Sequence, residues 1–292
     1  MNYRHTYHAG NFADVLKHVV LSLALVHMAK KAAPFRVIDT HAGIGLYDLA
    51  GEEAGKTGEW RGGIGRLLGP DANLGAAPKP AAAAALMKPY LDAVGALNPD
   101  GVPRRYPGSP CLALALMRGD DRLVANELHP EDAATLRRTL ARDRRAKVLE
   151  LDGWLALKAQ LPPKERRGVI LVDPPFEEPG ELDRIVTGLD NARRRFGGGV
   201  YLLWYPIKDP RPVARFHQAL AKVAPPESLA IELLIRGPVD IDRLNGCGLV
   251  VLNPPFTLEA DLGVLLPILA ERLSDGGGAT GRIAPLTARA NG

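Results

Sequence analysis

LAIELLIRGPVDIDRLNGCGLVVLN, residues 229–253, holds two apolar runs, 229–235 and 248–253, separated by about twelve residues that contain glycine and proline but no helical period. Parallel neighbours in a sheet are joined by a crossover that normally carries a helix, whereas a short loop suits antiparallel neighbours. The run at 248–253 is therefore expected to be a reversed strand. Everything upstream of it alternates differently.

Five further runs read as strands: FRVID (35–39), RLVANE (122–127), KVLELD (147–152), GVILVD (168–173) and VYLLWY (200–205). Helical patterns lie between them. Apolar residues at helical spacing cover 11–31, ending in Lys30-Lys31. Ser109 is expected as an N-cap, with Pro110 at the first helical position. Further helices are expected from His129-Pro130 to about Arg142, after Asp152, over about 180–196 and 210–222, and over about 257–273. Such alternation predicts an α/β fold with a seven-stranded, mostly parallel sheet covered on both faces, the last strand antiparallel. Between Asp48 and about Arg105 the pattern breaks down into Gly, Ala and Pro, including AAAAALM at 81–87. The expected organisation is 1–47 as an N-terminal motif with the first strand, 48–105 as a small inserted helical subdomain, and 106–292 as the rest of the main domain.

Bulk properties narrow the class. The chain has 292 residues, 46% hydrophobic and 24% charged, as in ordinary soluble domains. Its 37 basic and 33 acidic residues leave a net charge of +4, and arginine clusters recur at 104–105, 137–138, 144–145, 166–167 and 193–195. A solvated helix face explains any single pair, whereas several together make phosphate contact more plausible. Two cysteines cannot build a disulfide framework, which fits a cytoplasmic protein. The N-terminus is too polar for a signal peptide, and the apolar run 19–26 is shorter than the ~20 residues that span a bilayer, so no membrane association is expected. The N-terminal histidines lack the cysteines or the HExxH spacing of a zinc site, and no metal is expected.

Strand tips carry the chemistry. FRVIDTHAGIG (35–45) runs a strand into a Gly-x-Gly turn, which permits close approach of backbone to a ligand. Glu127 ends the next strand, where an acidic side chain can take both ribose hydroxyls, and Asp152-Gly153 ends the one after. Together these tips outline an adenosine-binding edge. VDPPF (172–176) emerges beside them. Its two prolines remove backbone donors and leave carbonyl groups next to the Asp173 carboxylate, a corner suited to an exocyclic amine. Phe176 offers a stacking face for a base swung out of its helix. The word recurs as NPPF at 253–256. Because the last strand is reversed, that copy should lie on the far edge and be structural.

[Asp/Asn]-Pro-Pro-[Tyr/Phe/Trp] resembles the signature of S-adenosylmethionine-dependent methyltransferases acting on adenine N6 or cytosine N4. Nearly end to end, the chain resembles the RlmJ type of large-subunit ribosomal RNA methyltransferase. The resemblance is most specific in YRHTYHAGNFADVLKH (3–18), IDTHAGIGLY (38–47), YPGSP (106–110), NELHP (126–130), LDG (151–153), DPPF (173–176) and LWYP (203–206). It implies a Rossmann-like class I methyltransferase fold and N6-methylation of a specific adenine in 23S ribosomal RNA, with S-adenosylmethionine as cofactor. It also implies His18, His41, Ser109, Glu127, Asp152 and Gly153 as cofactor contacts and Asp173 as the catalytic residue. Tyr3, Pro174 and Phe176 fall on the substrate side, and Lys17 near the cofactor's carboxylate. The expected partner is large-subunit RNA, naked or in an early assembly intermediate, and the expected protein is a monomer. Alternatives are a DNA adenine-N6 or cytosine-N4 methyltransferase, a non-catalytic ribosome-assembly factor that binds RNA, and, more remotely, a nicotinamide-dependent oxidoreductase.

Overall fold

The computed structural model describes residues 4–69, 72 and 80–287. Helix α1 (Phe12–Ala29) begins at Asn11, whose side chain accepts from the amides of Ala13 and Asp14. It is apolar nearly all round because it lies inside the protein. Its length and composition would suit a membrane span, yet 83% of it is buried in the fold. Strand β1 (Arg36–Asp39) follows, then a short ribbon strand, β2 (Leu46–Asp48). After α2 (Glu52–Thr57) and α3 (Ala81–Gly95) the chain returns through β3 (Arg105–Pro107), which pairs antiparallel with β2. That ribbon closes the neck of the segment that interrupts the strand–helix alternation. Residues Ala83, Met87, Tyr90 and Val94 of α3 pack into the same apolar cluster as α1.

Regular alternation then runs through α4 (Ser109–Leu116), β4 (Arg122–Asn126), α5 (Pro130–Leu140), β5 (Ala146–Leu149), α6 (Gly153–Gln160), β6 (Gly168–Val172), α7 (Glu181–Arg195), β7 (Val200–Ile207) and α8 (Pro210–Ala221). The chain ends with β8 (Leu229–Leu234), β9 (Gly246–Leu252), α9 (Leu258–Leu273) and β10 (Thr280–Pro285). The main sheet has the order β10-β8-β9-β7-β6-β1-β4-β5. Strands β5, β4, β1, β6 and β7 are mutually parallel, and β9 lies between β7 and β8, antiparallel to both.

The sheet has eight strands, one more than the alternation predicts. The addition is β10, antiparallel to β8 on the outer edge. Side chains alternate between two cores, as the period of a strand requires. Val169 and Leu171 of β6 face the cluster under α1, α4 and α9, while Ile170 and Val172 face the one under α7 and α8. One local expectation changes. Ser109 is the first residue of α4 rather than its cap, and Gly108 occupies the cap position. The Ser109 hydroxyl donates instead to Asp39 Oδ2 at 2.6 Å.

Candidate active site

The parallel strands end on one edge, and a cavity of about 340 Å³ opens there. This falls within the range of small-molecule sites. Its walls include His18, His41, Ser109, Glu127, Asp152, Gly153, Asp173 and Pro174. The structure thus brings together the expected cofactor contacts, the expected catalytic carboxylate and one substrate-side residue, from positions between His18 and Pro174.

At the β1 end, burial pushes the Asp39 carboxyl up to about 6, against the Ser109 hydroxyl bond and the nearby Lys17 charge. Glu127 accepts from the amides of Gly43 (2.9 Å) and His129 (2.8 Å), so the glycine turn and the tip of β4 are tied together through its carboxylate. Asp152 caps α6 by accepting from the amides of Trp154 and Leu155 through Oδ1. Gly153 has no room for a side chain, because a Cβ there would overlap the His41 ring. His41 bonds Thr40 Oγ1 through Nδ1, and burial lowers its pKa to about 4. His18 bonds the Tyr106 hydroxyl through Nδ1 at 2.7 Å, and burial lowers its pKa to about 3. Its Nε2 is buried with no partner among the described residues.

Asp173 is held by Lys17. The ammonium sits 2.5 Å from Asp173 Oδ2 and 2.8 Å from Asp14 Oδ1. The sequence reading places Lys17 near the cofactor's carboxylate, whereas here it is flanked by two of the protein's own. A buried ammonium needs counter-charges close by. Burial opposes its charge, but the carboxylates outweigh burial and hold its pKa well above the usual value. Burial also opposes the Asp14 carboxylate, yet His5 and Lys17 hold it well below the ordinary range.

Two substrate-side expectations stand apart. Tyr3 lies outside the described residues. Phe176 adopts a left-handed backbone (φ 53°) and packs edge-on against Trp204, ring centroids 5.6 Å apart, and it is not part of the cavity wall. Pro174 and Pro175 of the same motif do line the cavity. The NPPF copy lies on the opposite edge of the sheet, where Asn253 donates to the carbonyls of Gly197 (2.8 Å) and Gly199 (2.6 Å) just before β7. Its role is to hold a turn.

Sequence reasoning missed His5, Asp14, Trp154, Glu181 and Arg184. His5 and Asp14 lie within the N-terminal stretch that carries the resemblance, but their pairing (2.9 Å) depends on how that stretch folds back. Arg184 and Glu181 read as ordinary polar residues of an exposed helix start, and their positions emerge only when α6 and α7 pack together.

With this geometry in hand, the comparisons decide the family. The family model described as "RsmJ: Ribosomal RNA large subunit methyltransferase D, RlmJ" matches residues 32–283. The chain belongs to that family. Relatives named "Ribosomal RNA large subunit methyltransferase J" include one from Escherichia coli (strain K12), 40% identical over 95% of both chains. Another, from Haemophilus influenzae, is 39% identical over 94% of both. The crystal structure of a Legionella pneumophila protein superposes with a TM-score of 0.85 at 31% identity, over 95% of this chain and 98% of that one. The RlmJ family is one of ribosomal RNA methyltransferases, and its class I fold is the one described above: a parallel sheet whose strand β9 inserts antiparallel between β7 and β8. None of these comparisons favours a DNA enzyme or a non-catalytic factor.

Proposed function

We propose that this protein uses S-adenosylmethionine to methylate the N6 amine of a specific adenine in 23S ribosomal RNA. The observation that carries the reading is the placement of Asp173-Pro174 on the cofactor-side edge, beside the walls that fit an adenosine. The residues suit that group. Glu127 would take the ribose hydroxyls, Asp152 and Gly153 would border the adenine, and the unpaired Nε2 of His18 would offer a polar contact. When bound, the cofactor supplies an electrophilic methyl group on a sulfonium.

The chain's own residues do the rest. Lys17 occupies Asp173 Oδ2, which leaves Oδ1 to accept one N–H of the adenine amine while the Pro174 carbonyl accepts the other. Accepting both hydrogens draws the nitrogen towards a tetrahedral, nucleophilic form. Asp173 Oδ1 is also the first acceptor for the proton that leaves. Alignment supplies much of the rate, because a bound pair avoids the entropy of a bimolecular encounter. Stacking by Phe176 requires its ring to swing away from Trp204. A base must leave its stack to reach a recessed cavity, which favours naked RNA or an early assembly intermediate. Such a substrate implies a cytoplasmic enzyme, and it acts as a monomer.

The test is transfer of labelled methyl groups to unmodified large-subunit RNA by wild type, Asp173→Ala and Asn253→Ala. Asp173→Ala should lose at least about 10²-fold in rate, while Asn253→Ala keeps the wild-type rate, and digested RNA should contain N6-methyladenine. Methylation of DNA but not RNA would overturn the substrate. Inactivation by Asn253→Ala alone, with the protein folded, would overturn the site.

A further inference from the structure

Glu181 opens α7 and is only 5% exposed, yet just one of its carboxylate oxygens is accounted for. Oε2 accepts from Arg184 Nη1 at 3.2 Å. Oε1 is buried and has no partner among the described residues. Buried polar atoms are nearly always hydrogen-bonded, and a bare anionic oxygen is the most costly kind to leave unpaired. Glu181 also lines the cavity. A donor brought by whatever fills that cavity would complete it.

Arg184 shows which end of the cavity is concerned. Its Nη2 lies 3.6 Å from Asp152 Oδ2, and its guanidinium sits 5.8 Å above the Trp154 ring. Asp152 Oδ1 is engaged at the start of α6, so Oδ2 is its oxygen left for a ligand. One arginine thus ties together two carboxylates, one from β5–α6 and one from α7, each with an oxygen to offer. An adenine 6-amino group carries two N–H donors. The geometry points to Glu181 as a second reader of the cofactor's adenine amine beside Asp152, with Arg184 positioning both. This rests on the reading of the cavity as an S-adenosylmethionine site and adds a specificity residue to it.

Replacing Glu181 by Gln gives a distinctive outcome. Arg184 would keep the amide oxygen as its acceptor, so the Gln NH₂ would replace Oε1 and present donors where the carboxylate accepted. Wild type should prefer S-adenosylhomocysteine to S-inosylhomocysteine, whose 6-position carries an acceptor oxygen. In Glu181→Gln that preference should shrink by about tenfold, the worth of a hydrogen bond to a charged group. Calorimetric titration of both ligands against both proteins, without RNA, measures it. An unchanged ratio overturns the inference, whatever happens to absolute affinity. Failure of wild type to bind S-adenosylhomocysteine would instead overturn the cofactor reading itself. Should Glu181→Gln melt early, Glu181→Asp keeps the charge but withdraws it by one methylene. The ratio should then fall partway, and an unchanged ratio again sinks the assignment.

Discussion

Asn253 holds a left-handed backbone at φ 48° and fastens two carbonyls of the turn that starts β7. Asparagine tolerates that conformation far better than alanine does. Asn253→Ala should therefore lose about 1–2 kcal/mol of stability, from two hydrogen bonds and added strain, read as a lowered urea midpoint with an unchanged slope. Asp173 differs from it by one side-chain atom and performs a different task. The contrast between the two PPF copies was legible in the sequence, because strand direction alone separates them. The grip of Lys17 on Asp173 was not, since it joins residues 156 positions apart. Nor was Glu181, which in sequence is one acidic residue among several at a helix start.

The contact of α6 with α7 depends on a missing side chain. A Cβ at Gly188 would overlap the six-membered ring of Trp154, the residue that also walls the cavity beneath Arg184. Gly188→Ala should push the helices apart, costing about 1–3 kcal/mol as overpacked sites do. It should also weaken S-adenosylhomocysteine binding, because Trp154 and Arg184 move together. A melting curve and a titration on the same variant check both, and a normal affinity would show the groove to be independent of the cavity. Helices and central strands were readable from their periods, since each buries a stripe or both faces. The outer strand β10 was not. TGRIAP is half exposed at the sheet edge, with a glycine and a proline and no run of β-branched residues. The ribbon strands β2 and β3 escaped for another reason. Three residues are too few to show a period.

For the molecule as a whole, acid is the vulnerable side. Burial lowers His18 to about 3, and His41 and His217 to about 4. On unfolding each returns to about 6.5. Between about pH 6.5 and 4 the unfolded chain therefore binds more protons, and stability falls as pH falls. Asp39 acts in the opposite sense. Its carboxyl, raised to about 6 by burial, keeps a proton in the folded state, so its contribution declines as pH rises from about 4 to 6. Burial also raises Glu127 and Glu232, whereas Asp14 and Asp121 are held below their ordinary range and add to the loss on the acid side. His217 lies away from the cavity and bonds the Tyr205 hydroxyl at 2.8 Å. Changing it to Gln keeps a hydrogen-bonding group there and should flatten the acid-side loss by about 2 kcal/mol, measured by urea unfolding at pH 7 and 4.5. The position of β9 also bears on synthesis at the ribosome. Strand β8 emerges before β9, but its neighbours in the finished sheet are β9 and β10 alone. Until residues 246–252 leave the exit tunnel, the nascent chain has a five-strand sheet ending at β7 and an unpaired, apolar sixth segment. The buried α1 packs against α3 and α4, which follow it closely in the chain, and also against β9 and α9, which are made much later. One side of that helix is therefore covered early, and the other stays open until the second half of the sheet is translated.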